Sequence, residues 1–282
     1  MSQKSVAPTR AKLGNRRRTG KEQYYTPREL AGSLVSKVKR IVPDFSSRTV
    51  LEPAGGTGAF VEAAKAAGAK KVLSVDIEPK HNDVNKADYL STNLKITNAV
   101  TISNPPFGRN NSLSIPFFNR AADHSEYIAF IVPRSWRKWS VINRLDRRFH
   151  LVLDEDLAID YVDDTHTLIS QKNNLKTCFQ IWQRKEELRE LIKIEDRGYV
   201  SKVRPEEADI ALTVFGFSCG KVNLEFERKA NTTRMFLKLN HPKALGALQT
   251  ANFERFSKNT AYTEALSFQE INFLLNESIG NK

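Results

Sequence analysis

The sequence predicts an α/β protein built on an open, mainly parallel sheet, followed by a smaller α+β region. Three observations predict it. Apolar, β-branched runs near 49–53, 71–78, 99–103, 127–132 and 177–183 interleave with helical patterns over 27–41, 59–67 and 113–122. A glycine-rich turn, Ala54-Gly55-Gly56-Thr57-Gly58, leads from the first run into a helix, and an acid, Asp76, ends the second run about 20 residues past that turn. Beyond residue 197 the rhythm changes to short runs separated by Gly and Asn turns, the pattern of antiparallel strands. The expected division is a basic arm over 1–21, a sheet domain over 22–184 and a small domain over 185–282.

Composition narrows the class. Apolar residues make up 40% of the 282, enough for a true core, and no run approaches the ~18 residues of a membrane span. The N-terminus has no apolar signal region, so no membrane partner is expected. Two cysteines, Cys178 and Cys219, point to a reducing compartment, the cytoplasm or a nucleus. Five histidines are scattered without metal-ligand spacing, so no metal is expected, and the chain is expected to be a monomer. The net charge is +12. Residues 1–21 hold seven Lys/Arg and no acid, 22–184 hold 22 basic and 18 acidic residues, and 185–282 hold 15 and 14. A pI near 9.7 suits a polyanionic partner, nucleic acid above all.

Taken in order, the arm is polar and basic and is expected to meet phosphates without reading sequence. Thr26-Pro27 reads as an N-cap with proline at the first helical position and Glu29 at the third. The helix runs to about Ile41 with Leu30, Leu34 and Val38 on one face. Glycines in the turn after 49–53 let backbone approach a ligand closely. The turn lacks both the dinucleotide spacing and a phosphate-loop lysine. Glu52 beside it would repel phosphates and suits a cation. Asp76 at a strand end can accept hydrogen bonds from ribose hydroxyls. Asp88, at a further strand end, can accept from an adenine amine.

The strand over 99–103 stops at Asn104-Pro105-Pro106-Phe107-Gly108. Proline lacks an N–H and turns the residue before it away from helix. The Asn104 amide, the Pro105 carbonyl and the Phe107 ring are thus held just past a strand end, where open α/β sheets bind ligands. An exocyclic amine conjugated to a ring is a poor nucleophile because its lone pair is delocalised. Two acceptors, Asn104 Oδ1 and the Pro105 carbonyl, can take both N–H protons and turn the lone pair toward an electrophile. Phe107 can stack on the base for ~1–3 kcal/mol. Taken alone, the motif also fits a plain strand-to-loop turn.

Tyr-Tyr-Thr-Pro (24–27), Leu-Glu-Pro-Ala-Gly-Gly-Thr-Gly-Ala-Phe (51–60), Val-Asp-Ile-Glu-Pro (75–79), Ala-Asp-Tyr-Leu (87–90) and Ser-Asn-Pro-Pro-Phe-Gly (103–108) occur in that order. Together they resemble the motifs of S-adenosylmethionine-dependent amino-methyltransferases. They are most similar to N6-adenine DNA methyltransferases with cofactor motifs first and the target-recognition domain last. The resemblance covers about 22–184 and implies a Rossmann-like class I methyltransferase sheet. It further implies S-adenosylmethionine as cofactor, with Tyr25 and Thr26 closing its pocket and Glu52 at its cationic end. Asp76 would meet its ribose and Asp88 its adenine edge. Ala54, Gly56, Ile77, Tyr89 and Asn104 join that site, and Asn104, Pro105, Pro106 and Phe107 form the catalytic set. Phe107 is a departure, since many DNA enzymes have tyrosine there and ribosomal-RNA adenine methyltransferases also use phenylalanine.

Basic and aromatic residues beside the motif are the candidate nucleic-acid contacts: Arg109, Arg134, Trp136, Arg137 and Lys138, with Arg144, Arg147 and Arg148 nearby. Phe179, on the strand over 177–183, fits either the target base or the core. The acidic stretch 154–164 reads as a solvated loop, and 185–195 as a helix leaving the sheet. In the small domain, strands are expected over 211–217, 222–226 and 233–239 and helices over 252–256 and 267–275. Arg228, Lys229, Arg234, Lys238 and Lys243 are its phosphate candidates, and Asn231 and Asn240 its base readers. The activity expected is methyl transfer to adenine N6 in DNA. RNA adenine, DNA cytosine N4 and a non-catalytic nucleic-acid binder stand as alternatives.

Overall fold

Strand ends at one edge of a single sheet gather the motif residues. The computed structural model describes residues 24–168 and 175–280; the basic arm lies outside them. Seven strands form the main sheet: β1 (Thr49–Glu52), β2 (Lys71–Asp76), β3 (Asn85–Lys86), β4 (Ala99–Ser103), β5 (Ser125–Pro133), β6 (Phe149–Leu157) and β7 (Thr177–Arg184). Their order is β3-β2-β1-β4-β5-β7-β6. The first five are parallel, and β7 runs antiparallel to both β5 and β6. This is an open, Rossmann-like α/β sheet of the kind that the motifs imply. Helices cross over from β1 to β2 and from β4 to β5, and the parallel strands leave their C-terminal ends on one side.

The β-branched runs become buried strands because helices cover both faces. Helix α1 (Arg28–Ile41) buries Ala31, Leu34, Val35 and Val38, a helical stripe, together with α2 (Ala59–Ala66). They pack on a face bearing Val50, Val100, Ile102 and Ile131. Helix α3 (Ser114–Ala121) brings Ile115 and Phe118 to the other face, against Leu51, Ile128 and Phe130. Alternation along each strand thus feeds two cores, and each fully buried large apolar side chain contributes about 1.5–3 kcal/mol. Helix α1 starts one residue later than expected. Pro27 is its N-cap with extended ψ of 142°, and Thr26 makes no cap bond.

Two expectations about the second half are corrected. The acids at 154–156 lie within β6 rather than in a solvated loop. Residues 185–195 form an extended strap rather than a helix. Its backbone is taken by tertiary partners: Lys185 N–H donates to Arg148 O, Arg189 N–H to Arg147 O, and Ile192 N–H to Asn143 Oδ1. Those bonds override the helical pattern of the strap.

The C-terminal lobe has a four-stranded antiparallel sheet, β10-β9-β11-β8, from β8 (Val200–Lys202), β9 (Ile210–Thr213), β10 (Val222–Asn223) and β11 (Arg234–Leu239). Helices α5 (Ala244–Thr250), α6 (Glu254–Ser257) and α7 (Phe268–Gly280) pack on it through Ile210, Leu212, Leu248, Ile271 and Leu275. The strand expected over 211–217 ends at Thr213, and that over 222–226 shrinks to two residues. Ser267 and Glu270 form a capping box at the start of α7, each bonding the other's backbone N–H.

The lobe is fixed to the main sheet just after β5. Helix α4 (Trp139–Ile142) sets the Trp139 ring 5.2 Å from Phe256 and 5.3 Å from Phe273. Lys138 Nζ donates to the Phe256 and Ala265 carbonyls and to the Glu270 carboxylate at 2.8 Å. Glu270 is 3% exposed, so it depends on that cation. Breaking a buried pair from one side costs about 3–5 kcal/mol. Lys138→Ala should lower unfolding free energy by about that amount in denaturant titrations, with partial recovery in the Lys138→Ala/Glu270→Gln double variant. A loss no larger than that of an exposed pair, under about 1 kcal/mol, would contradict this account of the joint.

Candidate active site

Glu52, the last residue of β1, is 1% exposed. Its Oε1 accepts from the Ala54 N–H at 2.9 Å and from the Ser103 hydroxyl at 2.6 Å. Its Oε2 is buried with no hydrogen-bond partner among the described residues. Burial pushes the carboxyl from an ordinary 4.5 to about 8, against the lowering effect of those two bonds. A buried carboxyl with one orphaned oxygen is costly unless something cationic or donating arrives.

The glycine turn lies beside it. Asp76, ending β2, accepts from Gly56 N–H at 2.9 Å and from Glu78 N–H at 2.8 Å, so one carboxylate ties the turn to the next strand. A Cβ on Gly55 would come within 2.2 Å of Ser74 Oγ, and one on Gly56 (φ +46°) within 2.6 Å of the Tyr25 ring. The missing side chains let Ser74 and the Tyr25 ring lie directly against the backbone of the turn. Tyr25 is held over the turn by two backbone bonds with Val162, both 3.1 Å. Desolvation first, then Asp76, pushes its phenol up to about 12. Ile77 follows Asp76 and is 51% exposed, an apolar side chain left facing out at the strand end.

Asn104 stands directly after β4. Its Nδ2 donates to the Tyr24 carbonyl at 3.4 Å, and its Oδ1 is buried with no partner among the described residues. Thr26 Oγ1 and Ser74 Oγ are orphaned in the same way. Four unpartnered buried polar atoms thus belong to residues of the strand ends and of the segment leading into α1. Phe107 is fixed by its carbonyl, which accepts from the Leu113 and Ser114 N–H groups at the start of α3. Pro105 is buried and Pro106 half-buried between these anchors.

Phe107 also opens onto a cleft of about 640 Å³ between the main sheet and the C-terminal lobe. Tyr24, Arg109, Lys138 and Arg144 line one side, and Phe215 and residues 260–263 line the other. That volume is in the range of small-molecule sites. Among the described residues, Arg109 and Arg144 are exposed and have no side-chain partner.

Several expected contacts are corrected. Trp136 is 0% exposed, packs edge-on against Phe118 and donates Nε1–H to Ser114 Oγ. Phe179 is 0% exposed in the α1-side core. Tyr89 is 1% exposed, bonded through its hydroxyl to His124 Nε2 at 2.9 Å, and faces the α3-side core rather than a cofactor. Asp88 is exposed, and its Oδ1 accepts from Leu90 N–H. Arg134 pairs with Asp156, and Arg137 with Asp154 and Asp156, all at 2.7 Å, so the acids of β6 neutralise the basic stretch. Lys138 is consumed by the joint. Arg228 donates to three carbonyls, of Pro205, Glu206 and Ala208, and Asn231 and Asn240 bond their own surroundings. Lys229 and Arg234 are not among the cleft-lining residues.

The structure adds Ser74, Ser103 and Phe215 to the residues around the site. The two serines could be found only from strand register, which sets Ser74 opposite Glu52. No group of three or more His, Cys, Asp or Glu able to hold a metal occurs among the described residues. Nor is any helix there long and apolar enough to cross a membrane.

No protein-family model and no curated protein sequence matches the chain. Among solved structures, a proposed RNA methyltransferase from Pyrococcus horikoshii aligns at 19% identity over 62% of this chain and 93% of its own, with a TM-score of 0.48. A proposed class I S-adenosylmethionine-dependent methyltransferase from Listeria monocytogenes aligns at 15% over 58% and 64%, TM-score 0.41. The 23S rRNA methyltransferase ErmE aligns at 15% over 59% and 71%, TM-score 0.39.

The Glu52 carboxyl makes a prediction about the unliganded protein. Its folded value, about 8, lies above the unfolded 4.5, so its contribution to stability is complete below pH 4.5 and is lost as pH rises to about 8. The unfolding free energy of wild type relative to Glu52→Gln should therefore fall across that window. A difference that stays flat from pH 4.5 to 8 would contradict the burial argument.

Proposed function

We propose that this chain is an S-adenosylmethionine-dependent methyltransferase acting on the exocyclic amine of a nucleobase, adenine N6 in DNA first. The observation that supports it best is the buried, unpartnered Asn104 Oδ1, one residue from the Ser103 hydroxyl that holds Glu52. The residues present fit the cofactor. Glu52 Oε2 lacks a partner among the described residues and suits an ammonium group, and Asp76, bonded to the glycine turn, suits ribose hydroxyls. When bound, that cofactor supplies a methyl group activated by its sulfonium.

The chain's own part is positioning. Asn104 Oδ1 and the Pro105 carbonyl accept the two N–H protons and aim the nitrogen lone pair, and Phe107 offers a face to the base. The nitrogen sheds its proton to water after transfer, so no histidine base is needed. The cleft beside Phe107 has room for a nucleotide taken out of a stack. The order of motifs supports DNA, and the +12 charge suits either polymer. An RNA substrate is the second reading, favoured by phenylalanine rather than tyrosine at 107.

Incubation with labelled cofactor, duplex DNA and RNA, followed by nucleoside analysis, tests this. Labelled N6-methyldeoxyadenosine is expected. Asn104→Ala should cut the rate by about 100-fold or more, as misplacement of a reactant does, with cofactor affinity within a few-fold of wild type. Label in RNA alone would move the polymer, and N4-methylcytosine would move the base. Cofactor binding without transfer to either polymer would overturn the proposal.

A further inference from the structure

Phe217 is fully exposed, at 102% of its reference area. It sits at the tip of the turn between β9 and β10, which is well held. Gly216 N–H donates to Glu264 O, Cys219 N–H to Gly216 O, and Gly220 N–H to Thr213 O at 2.7 Å. Gly216 (φ +102°) and Gly220 (φ +97°) supply the left-handed backbone that such a turn requires. An aromatic ring held out in water by a braced turn has no role in the core of its own lobe. Two residues earlier, Phe215 bridges to Ala265 and lines the cleft. The turn therefore stands at the mouth of the space that receives the reacting base.

The charges around it favour a polyanion over an apolar protein partner. Arg109 and Arg144 on the opposite wall, and Lys221 in the turn itself, are exposed and without a side-chain partner among the described residues. We propose that Phe217 is a wedge that enters the base stack beside the extruded nucleotide, while Arg109, Arg144 and Lys221 hold the flanking phosphates. Apolar side chains inserted between base steps unstack them, and a ring left in the gap replaces the lost stacking. The inference deepens the reading of the site as a nucleobase methyltransferase and rests on it.

The test uses the full chain and a duplex oligonucleotide carrying a site mapped by wild-type methylation of plasmid DNA. Single-turnover rates are compared on the matched duplex and on one mismatched opposite the target base, which opens without help. Phe217→Ala should slow the matched duplex by roughly 5- to 150-fold, the equivalent of one lost stack. It should methylate the mismatched duplex within a few-fold of wild type, and Phe217→Trp should recover the matched rate. Because the ring is exposed, the melting temperature should not change. Equal rates on the matched duplex, an equal loss on both duplexes, or a wild type active only on single strands would overturn the wedge while leaving the methyltransferase reading intact. A wild type that methylates no polymer would instead remove that reading.

Discussion

The carboxyl of Glu52, buried at the end of β1 with one oxygen satisfied and the other without a partner among the described residues, constrains everything around it. An ionised carboxylate in that position would be costly, so burial holds it protonated near neutrality, while the Ala54 amide and the Ser103 hydroxyl fix its position and work against that shift. Those two partners belong to the glycine turn and to the end of β4. Satisfying half of one carboxyl therefore aligns the turn, the acid and the Asn-Pro-Pro loop. Parallel pairing of β2, β1 and β4 makes this possible, because it brings three consecutive strand ends to the same side. Asp76 completes the frame from β2 by bonding Gly56 across the turn.

Charge is organised on a second principle. Much of the basic stretch after β5 is spent inside the protein, on Asp154 and Asp156 of β6 and on Glu270 of α7. These bonds fix the C-terminal lobe and β6 relative to the motif loop, so the cleft between them has defined walls. The cations left at the cleft are few and placed, Arg109 on the motif side and Arg144 after α4. A net charge of +12 does not by itself say which cations are available to a partner.

The fold was largely legible in the sequence. β-branched runs at 49–53, 71–78 and 99–103 became strands, the first two shortened to 49–52 and 71–76, and the glycine turn, Asp76 and Asn104 came to one sheet edge, because local pattern and sheet topology agree there. Trp136, expected as a contact, is buried, and Phe179 takes the core position of its two readings, since adjacency to a motif says nothing about which face of the sheet a side chain takes. Arg134 and Arg137 looked free because their acids come 17 to 22 residues later and arrive only through antiparallel pairing of β6 with β7. The strap at 185–195 has a helical pattern, but Asn143, Arg147 and Arg148 claim its backbone. Thr26 looked like a cap, and its orphaned hydroxyl lies beside the site instead.

The central claim is that Glu52 waits, protonated, for a cationic ligand. Titration calorimetry of S-adenosylhomocysteine at pH 6.5, repeated in buffers of different ionisation enthalpy, counts the protons exchanged on binding. At that pH an α-amino group is already charged, with a pKa of about 7.7–8.0, so any proton released comes from the protein. The account predicts release of close to one proton per ligand in the wild type, and none in any binding that Glu52→Gln retains. Wild-type binding with no proton released, or release that persists in Glu52→Gln, would contradict it.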